Sequence, residues 1–285
     1  MITFKRIYES LFHSFRTLGG TMFLDELTTE NIQKVVVIQR SWIYGFFVSL
    51  LLPIIMGISG ADAWYILTSP ASIPRILLLS FGGIMLMNMI GLSLAGVIFL
   101  RYYRKSHKKL FEINQASDLS TVRSNINMSD RVFAHFFSQI TGAYFISIIT
   151  LLILIWITLV SGSTFVFTGL ILTFLTLVQC ILIVYYRRKM IDLQMDYIFV
   201  VPGKVYFIDQ KWVSERTEAM RLYSNLRLVV SSFPNWFGSF MNYGSIEIVA
   251  KNDFTTTMNS FNMHYIDRPV ETVRQINQFI DKKGE

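Results

Sequence analysis

Four histidines, His13, His107, His135 and His264, are the obvious metal ligands and proton carriers in this sequence, and their separations match no metal-binding spacing. The one cysteine, Cys180, allows neither an intrachain disulfide nor a cysteine metal cluster. No phosphate loop or dinucleotide fingerprint occurs. Gly91-Leu92-Ser93 is the nearest approach to a serine nucleophile motif, but it continues Leu94-Ala95 inside a long apolar run with no base at hand, so it reads as helix packing. Ionisable residues are expected only at the ends of the apolar runs, leaving Asn88, Gln139 and Gln179 as the polar groups at or within them. The expectation is a protein without catalytic, cofactor-binding or metal-binding residues, and so not an enzyme.

The elements that would position any site are themselves unusual. Apolar runs cover Trp42 to Ser59, Ile76 to Leu100, Ile140 to Val160 and Thr164 to Tyr186. Each approaches the ~20 residues that cross a ~30 Å hydrocarbon core. The last two are separated only by Ser161-Gly162-Ser163, which forces antiparallel neighbours, and Arg187-Arg188-Lys189 closes the hairpin. The predicted division is an N-terminal segment at 1–41, a transmembrane hairpin at 42–100, a basic loop at 101–139, a second hairpin at 140–186, a basic linker at 187–195 and a soluble domain at 196–285. Pro53 should kink the first span, and the outer loop from Gly60 to Arg75 should carry Asp62. Gly91 with Ala95, and Gly169, Thr173, Thr176 and Cys180, form small-residue seams that suit close helix contact.

The net charge of +7 sits beside the spans. Residues 101–131 carry seven Lys/Arg against three Asp/Glu, residues 187–195 three against one, and residues 196–285 ten against ten. A neutral C-terminal domain has no electrostatic footprint for nucleic acid. The positive-inside rule then places both termini and the 101–139 loop in the cytoplasm of a bacterial-type inner membrane. The first apolar run begins too late, and without a small-residue cleavage site, for a cleaved leader to be expected. Arg101, Arg104, Lys105, Lys108 and Lys109, with Arg187, Arg188 and Lys189, are candidate contacts for anionic phospholipid headgroups, although the same residues also suit a purely topological role.

Phe4, Ile7, Tyr8, Leu11, Phe12, Phe15 and Leu18 recur at helical spacing, which predicts an amphipathic helix before Gly19-Gly20 and an acidic linker from Asp25 to Glu30. Val35 to Trp42 leads into the first span, with Arg40 and Trp42 as interfacial anchors, and Asn127 or Ser129 would cap the helix entering the third. Beyond Lys189 the period becomes that of strands: Tyr197 to Val201, Lys204 to Asp209, Thr217 to Tyr223, Leu226 to Ser232, Ser245 to Ala250 and Met258 to Tyr265. A helix with Val270, Val273, Ile276 and Ile280 on one face follows. The predicted fold class is a membrane α-helical bundle of four transmembrane helices plus a small C-terminal β-rich domain closed by one α-helix.

Asp196 to Gln210, and then Phe237-Gly238-Ser239-Phe240-Met241-Asn242-Tyr243-Gly244-Ser245-Ile246-Glu247-Ile248, resemble the membrane-anchored bacterial pleckstrin-homology-like domain family. The basic-aromatic stretch before the first span is also similar, departing at Ser41, where the family often has histidine. The resemblance implies a PH-like domain in about the last third of the chain. Gly244 would supply the positive φ of a tight turn, and Phe237, Phe240 and Tyr243 would cover an open barrel end. Lys204 alone on the first hairpin loop makes a weak phosphate site, so a protein-interaction or assembly role is expected over headgroup recognition. Trp212, Phe233, Trp236, Phe237 and Tyr243 are the candidate contact residues, and the partner would be a protein or a second copy of the chain. The alternative is a component of a membrane transport or channel complex.

Overall fold

The computed structural model describes residues 34–68, 75–112, 117–160, 163–212, 215–222, 226–232, 236–250 and 260–281. The expected N-terminal amphipathic helix, the acidic linker and Phe233 lie outside these residues. The chain divides into two compact units that alternate along it, a soluble unit from residues 1–45, 101–132 and 190–285, and a span unit from residues 46–100 and 133–189.

Five helices carry the apolar sequence: α1 (Trp42–Ser49), α2 (Leu51–Thr68), α3 (Arg75–Glu112), α4 (Leu119–Val160) and α5 (Ser163–Met195). They supply four segments long and apolar enough to cross a membrane, α1 and α2 together making the first. The predicted kink at Pro53 is a break at Leu50. A proline amide cannot donate to the carbonyl four residues back, which leaves the Ser49 carbonyl without that donor, and at the break Leu50 N donates to Phe47 O at 3.1 Å in a tighter turn. Large apolar side chains such as Leu94, Val97, Ile98, Leu159 and Phe174 are exposed on the span unit, a surface suited to lipid rather than water.

Three segments differ from the sequence-based expectation. The first span does not end at Ser59: α2 runs on to Thr68, so Asp62 lies in the helix and not in an outer loop. The segment 101–139 is not a loop either, since α3 continues to Glu112 and α4 begins at Leu119. Its polar composition hides a buried helical stripe, Val122, Ile126 and Ser129 on α4 and Tyr103 and His107 on α3. Ser129 is therefore inside a helix and caps nothing. The 187–195 linker likewise belongs to α5.

In the soluble unit, β1 (Lys34–Gln39), β2 (Ser117–Asp118), β3 (Tyr197–Val201), β4 (Lys204–Trp212) and β5 (Glu215–Leu222) form one antiparallel sheet in the order β2-β1-β3-β4-β5. A second sheet joins β6 (Leu226–Ser232), β7 (Tyr243–Ala250) and β8 (Ser260–Asp267), and the short helix α6 (Trp236–Met241) precedes β7. Helix α7 (Pro269–Asp281) closes the chain. Strand β3 is buried on both faces, which explains its unbroken apolar run. Tyr197, Phe199 and Val201 pack with Val122 and Ile126 of α4, while Ile198 and Val200 pack with Ile246, Ile248, Phe261 and Met263 of the second sheet and Ile276 of α7. Pro202-Gly203 makes the β3–β4 turn, Gly203 taking a φ of 84° that a side chain disfavours.

Candidate functional site

Polar side chains converge inside the span unit along a seam between α2 and α5. On α2, Ser59, Asp62 and Tyr65 follow at intervals of three; on α5, Thr173, Thr176 and Gln179 do the same in the opposite direction. Residues three apart lie on one helix face, and two rungs are joined by side-chain hydrogen bonds, Ser59 with Gln179 and Asp62 with Thr176, while the buried Thr173 hydroxyl takes no part. Gln179 Nε2 donates to Ser59 Oγ at 2.9 Å and to Ser147 Oγ of α4 at 2.8 Å. One turn away, Thr176 Oγ1 lies 2.8 Å from Asp62 Oδ2. Beyond that, Gly169 leaves room for Thr158 and Tyr65; a Cβ there would stand 2.7 Å from the Tyr65 hydroxyl and would collide with Thr158. Asp62 is fully buried.

Asp62 corrects the expectation that ionisable residues stay at the ends of the spans. The signal that finds it is the matched spacing of Ser59 and Asp62 on α2 against Thr176 and Gln179 on α5. Of the α5 seam read as packing, Gly169 is a close-approach position and Thr176 adds a hydrogen bond to Asp62. In α3 the tightest glycine is Gly96, where a Cβ would meet Phe136 at 3.4 Å and Leu52 and Tyr186 at 3.5 Å. Ser93 Oγ contacts Met56 Sδ and the Met89 carbonyl, both at 3.0 Å, neither of which is a base.

The soluble unit has its own polar cluster. Arg40 donates to Asp196 Oδ2 through Nε at 2.9 Å and Nη2 at 2.7 Å, and through Nη1 to the His264 carbonyl at 3.1 Å. Burial would lower the Arg40 pKa, but the Asp196 carboxylate outweighs it and holds the guanidinium above its ordinary value. Arg40 is thus a packed ion-pair partner rather than an interfacial anchor. Ser41 caps α1 by accepting from the Ile43 amide at 3.2 Å, and its hydroxyl donates to Asp267 Oδ1. His107 Nδ1 lies 3.5 Å from Asp267 Oδ2. Serine, acid and histidine are together, but the carboxylate is in the middle, so the imidazole does not face the hydroxyl. Gln194 spans Asp130 and Ser129 at 2.9 Å each. No group of His, Cys, Asp and Glu that could hold a metal occurs among the described residues.

The expected contact residues separate. Tyr243 is buried and stacked on Tyr265, so it is a core residue and not an exposed contact. Phe240, expected to cover the barrel end, is instead 78% exposed, beside Met241 at 38%. Trp236 and Phe237 open α6, and Trp212 ends β4 opposite Glu215. Gly244 does not take the positive φ; Asn242 does, at 52°, and Gly244 is needed because a Cβ would strike the Ser232 carbonyl. Among the basic residues, Arg101, Arg104, Lys105 and Lys108 form one exposed helical stripe on α3, and Lys109 follows in the same helix. Arg104 lies over the Trp42 ring at 4.6 Å. On α5, Arg187 sits 4.4 Å over Phe137, Arg188 is exposed, and Lys189 lies 5.7 Å from the Tyr185 ring centre.

Comparison with family models, curated proteins and solved structures finds no match to this chain.

Proposed function

We propose that this chain is a multi-pass protein of a bacterial cytoplasmic membrane, with both termini inside, whose soluble unit is a pleckstrin-homology-like module that binds a protein partner or a second copy and carries out no catalysis. Two antiparallel sheets packed on a common core, with a C-terminal helix laying Ile276 against them, support the PH-like reading. The Asn242-Tyr243-Gly244 element opens β7.

The observation that carries the binding role is an exposed apolar corner on this unit. Phe240 and Met241 end α6; Asn242 O accepts from Arg268 N at 2.8 Å; Val270, 55% exposed, follows two residues later. Asn242 and Arg268, with φ of 52° and 46°, both lie in the left-handed region and are joined by this hydrogen bond. Side chains held in that region cost energy that the surrounding structure must supply, and such positions cluster at functional surfaces. An exposed aromatic beside a rigid strand end is also a typical anchor for a protein partner. The basic stripe of α3 is proposed to rest on anionic headgroups, each charge contributing ~1 kcal/mol near the surface.

The test is the size of the assembly extracted in mild detergent. Wild-type protein should migrate as a complex, and Phe240→Asp as a smaller particle with the same thermal stability. Identical assemblies for both proteins, or a free monomer for both, would remove this reading.

A further inference from the structure

Asp62 is the only acid in the sequence of the span unit, and its surroundings fix where a proton must be. The Thr176 hydroxyl oxygen lies 2.8 Å from Asp62 Oδ2 and 2.8 Å from the Leu172 carbonyl. A hydroxyl has one hydrogen to give, and the Leu172 carbonyl can only accept. An ionised Asp62 can only accept too, which leaves one of the two contacts as acceptor against acceptor. With the proton on Asp62 Oδ2, the acid donates to Thr176 Oγ1 and Thr176 donates to Leu172, and both contacts are hydrogen bonds.

The other carboxyl oxygen gives the same answer independently. Asp62 Oδ1 is buried and has no hydrogen-bond donor among the described residues. A carboxylate spreads its charge over both oxygens and is costly to bury with one of them bare, whereas the carbonyl oxygen of a neutral acid costs far less. The titratable groups that face Asp62 from the packed helices are the Cys180 thiol, one turn beyond Thr176 on α5, and Tyr65, three residues on in α2; the polar groups of the next rung are Ser59, Gln179 and Ser147. None of these is a cation that would favour the ionised form.

We propose that Asp62 is a proton-binding site within the membrane, occupied in the folded protein at neutral pH, whose proton is the donor that joins α2 to α5. Such a site is also a modification site for apolar carbodiimides. The carboxyl proton passes to a carbodiimide nitrogen, the carboxyl oxygen bonds to the central carbon, and an oxygen-to-nitrogen acyl shift leaves a stable N-acylurea carrying the whole mass of the reagent. An ionised carboxylate in an ion pair, such as Asp196, lacks the proton that begins this sequence.

The decisive experiment is infrared difference spectroscopy of the full chain in lipid nanodiscs at neutral pH, wild type against Asp62→Asn. The asparagine amide can donate to Thr176 as a neutral acid does, so this variant should fold. A protonated-carboxyl C=O band that disappears in Asp62→Asn, and that shifts in Thr176→Val, where its acceptor is gone, is the expected result. Loss of carboxylate bands in Asp62→Asn, with no protonated band, overturns the proposal. Should Asp62→Asn fail to fold, the shift in Thr176→Val decides alone, a shifted protonated band supporting the site and an unchanged spectrum overturning it. Dicyclohexylcarbodiimide applied to the wild-type protein should label Asp62 at least tenfold more than Asp196 by peptide mass.

Discussion

Arg40 and Asp196, 156 residues apart, meet in a two-point ion pair at 2.7 and 2.9 Å. Arg40 stands just before the first membrane-length segment and Asp196 just after the last, so the whole span-bearing sequence lies between two residues that touch. β1 and β3 pair directly beside them, Gln39 against Tyr197. The soluble unit is therefore made from sequence on both sides of the spans rather than appended after them.

Removing one partner of this pair leaves a buried charge alone. Arg40→Ala or Asp196→Ala should each destabilise the soluble unit by about 3–5 kcal/mol, and Arg40→Met combined with Asp196→Leu should recover much of that. Chemical denaturation followed by the near-ultraviolet signal of the folded protein reads the three values. Equal stability of Arg40→Ala and wild type would mean that the pair contributes nothing.

Two glycines should respond to alanine for different reasons. At Gly203 a Cβ meets nothing, but φ is 84°, so the cost should be ~1 kcal/mol. At Gly244 a Cβ would strike the Ser232 carbonyl and stand 2.9 Å from Pro269 Cγ, which requires the backbone to move and should cost ~1–3 kcal/mol. The order of the two melting temperatures checks this.

Gln179→Leu removes two interhelical hydrogen bonds from the span seam. At ~0.6 kcal/mol for each such bond, the loss should be about 1 kcal/mol in a bilayer-mimetic unfolding assay. Gly169→Ala should cost more, because Thr158 must leave its hydrogen bond to Leu154 O to make room.

Acid should weaken the soluble unit through His264. Burial, and then the Arg40 guanidinium, hold its pKa below the ordinary 6.5. The unfolded chain then binds the proton more readily than the fold, so stability is full above pH 6.5 and declines as pH falls through the folded-state value. His264 is largely solvent-exposed, which keeps the effect small. The melting temperature should fall more on acidification in wild type than in His264→Gln.

Much of the fold is legible in local pattern. Four apolar runs of membrane length, six C-terminal strands and the closing helix all follow from periods and turn residues. What local pattern cannot carry is pairing across the chain. Val35 to Trp42 reads as a lead-in to a span because the strand partner of its first half lies beyond all the spans. Gly60-Ala61-Asp62 looks like the end of a helix because the group that accommodates Asp62, Thr176, is 114 residues away. Polar residues in 101–139 suggest a loop until the buried stripe on α4 meets Tyr197 and Phe199. The exposed corner at Phe240 escapes for the opposite reason: an aromatic residue in a small β unit is expected to be core.

The most direct test of the binding role is a photo-crosslinking amino acid placed at position 240 in the full chain, irradiated in the native membrane. A discrete protein adduct, whether with a second copy or another polypeptide, that disappears when Met241 is changed to Ser is the predicted result. Adducts with lipid alone, or none at a position that is 78% exposed, would contradict the proposal that this corner is a protein-binding surface.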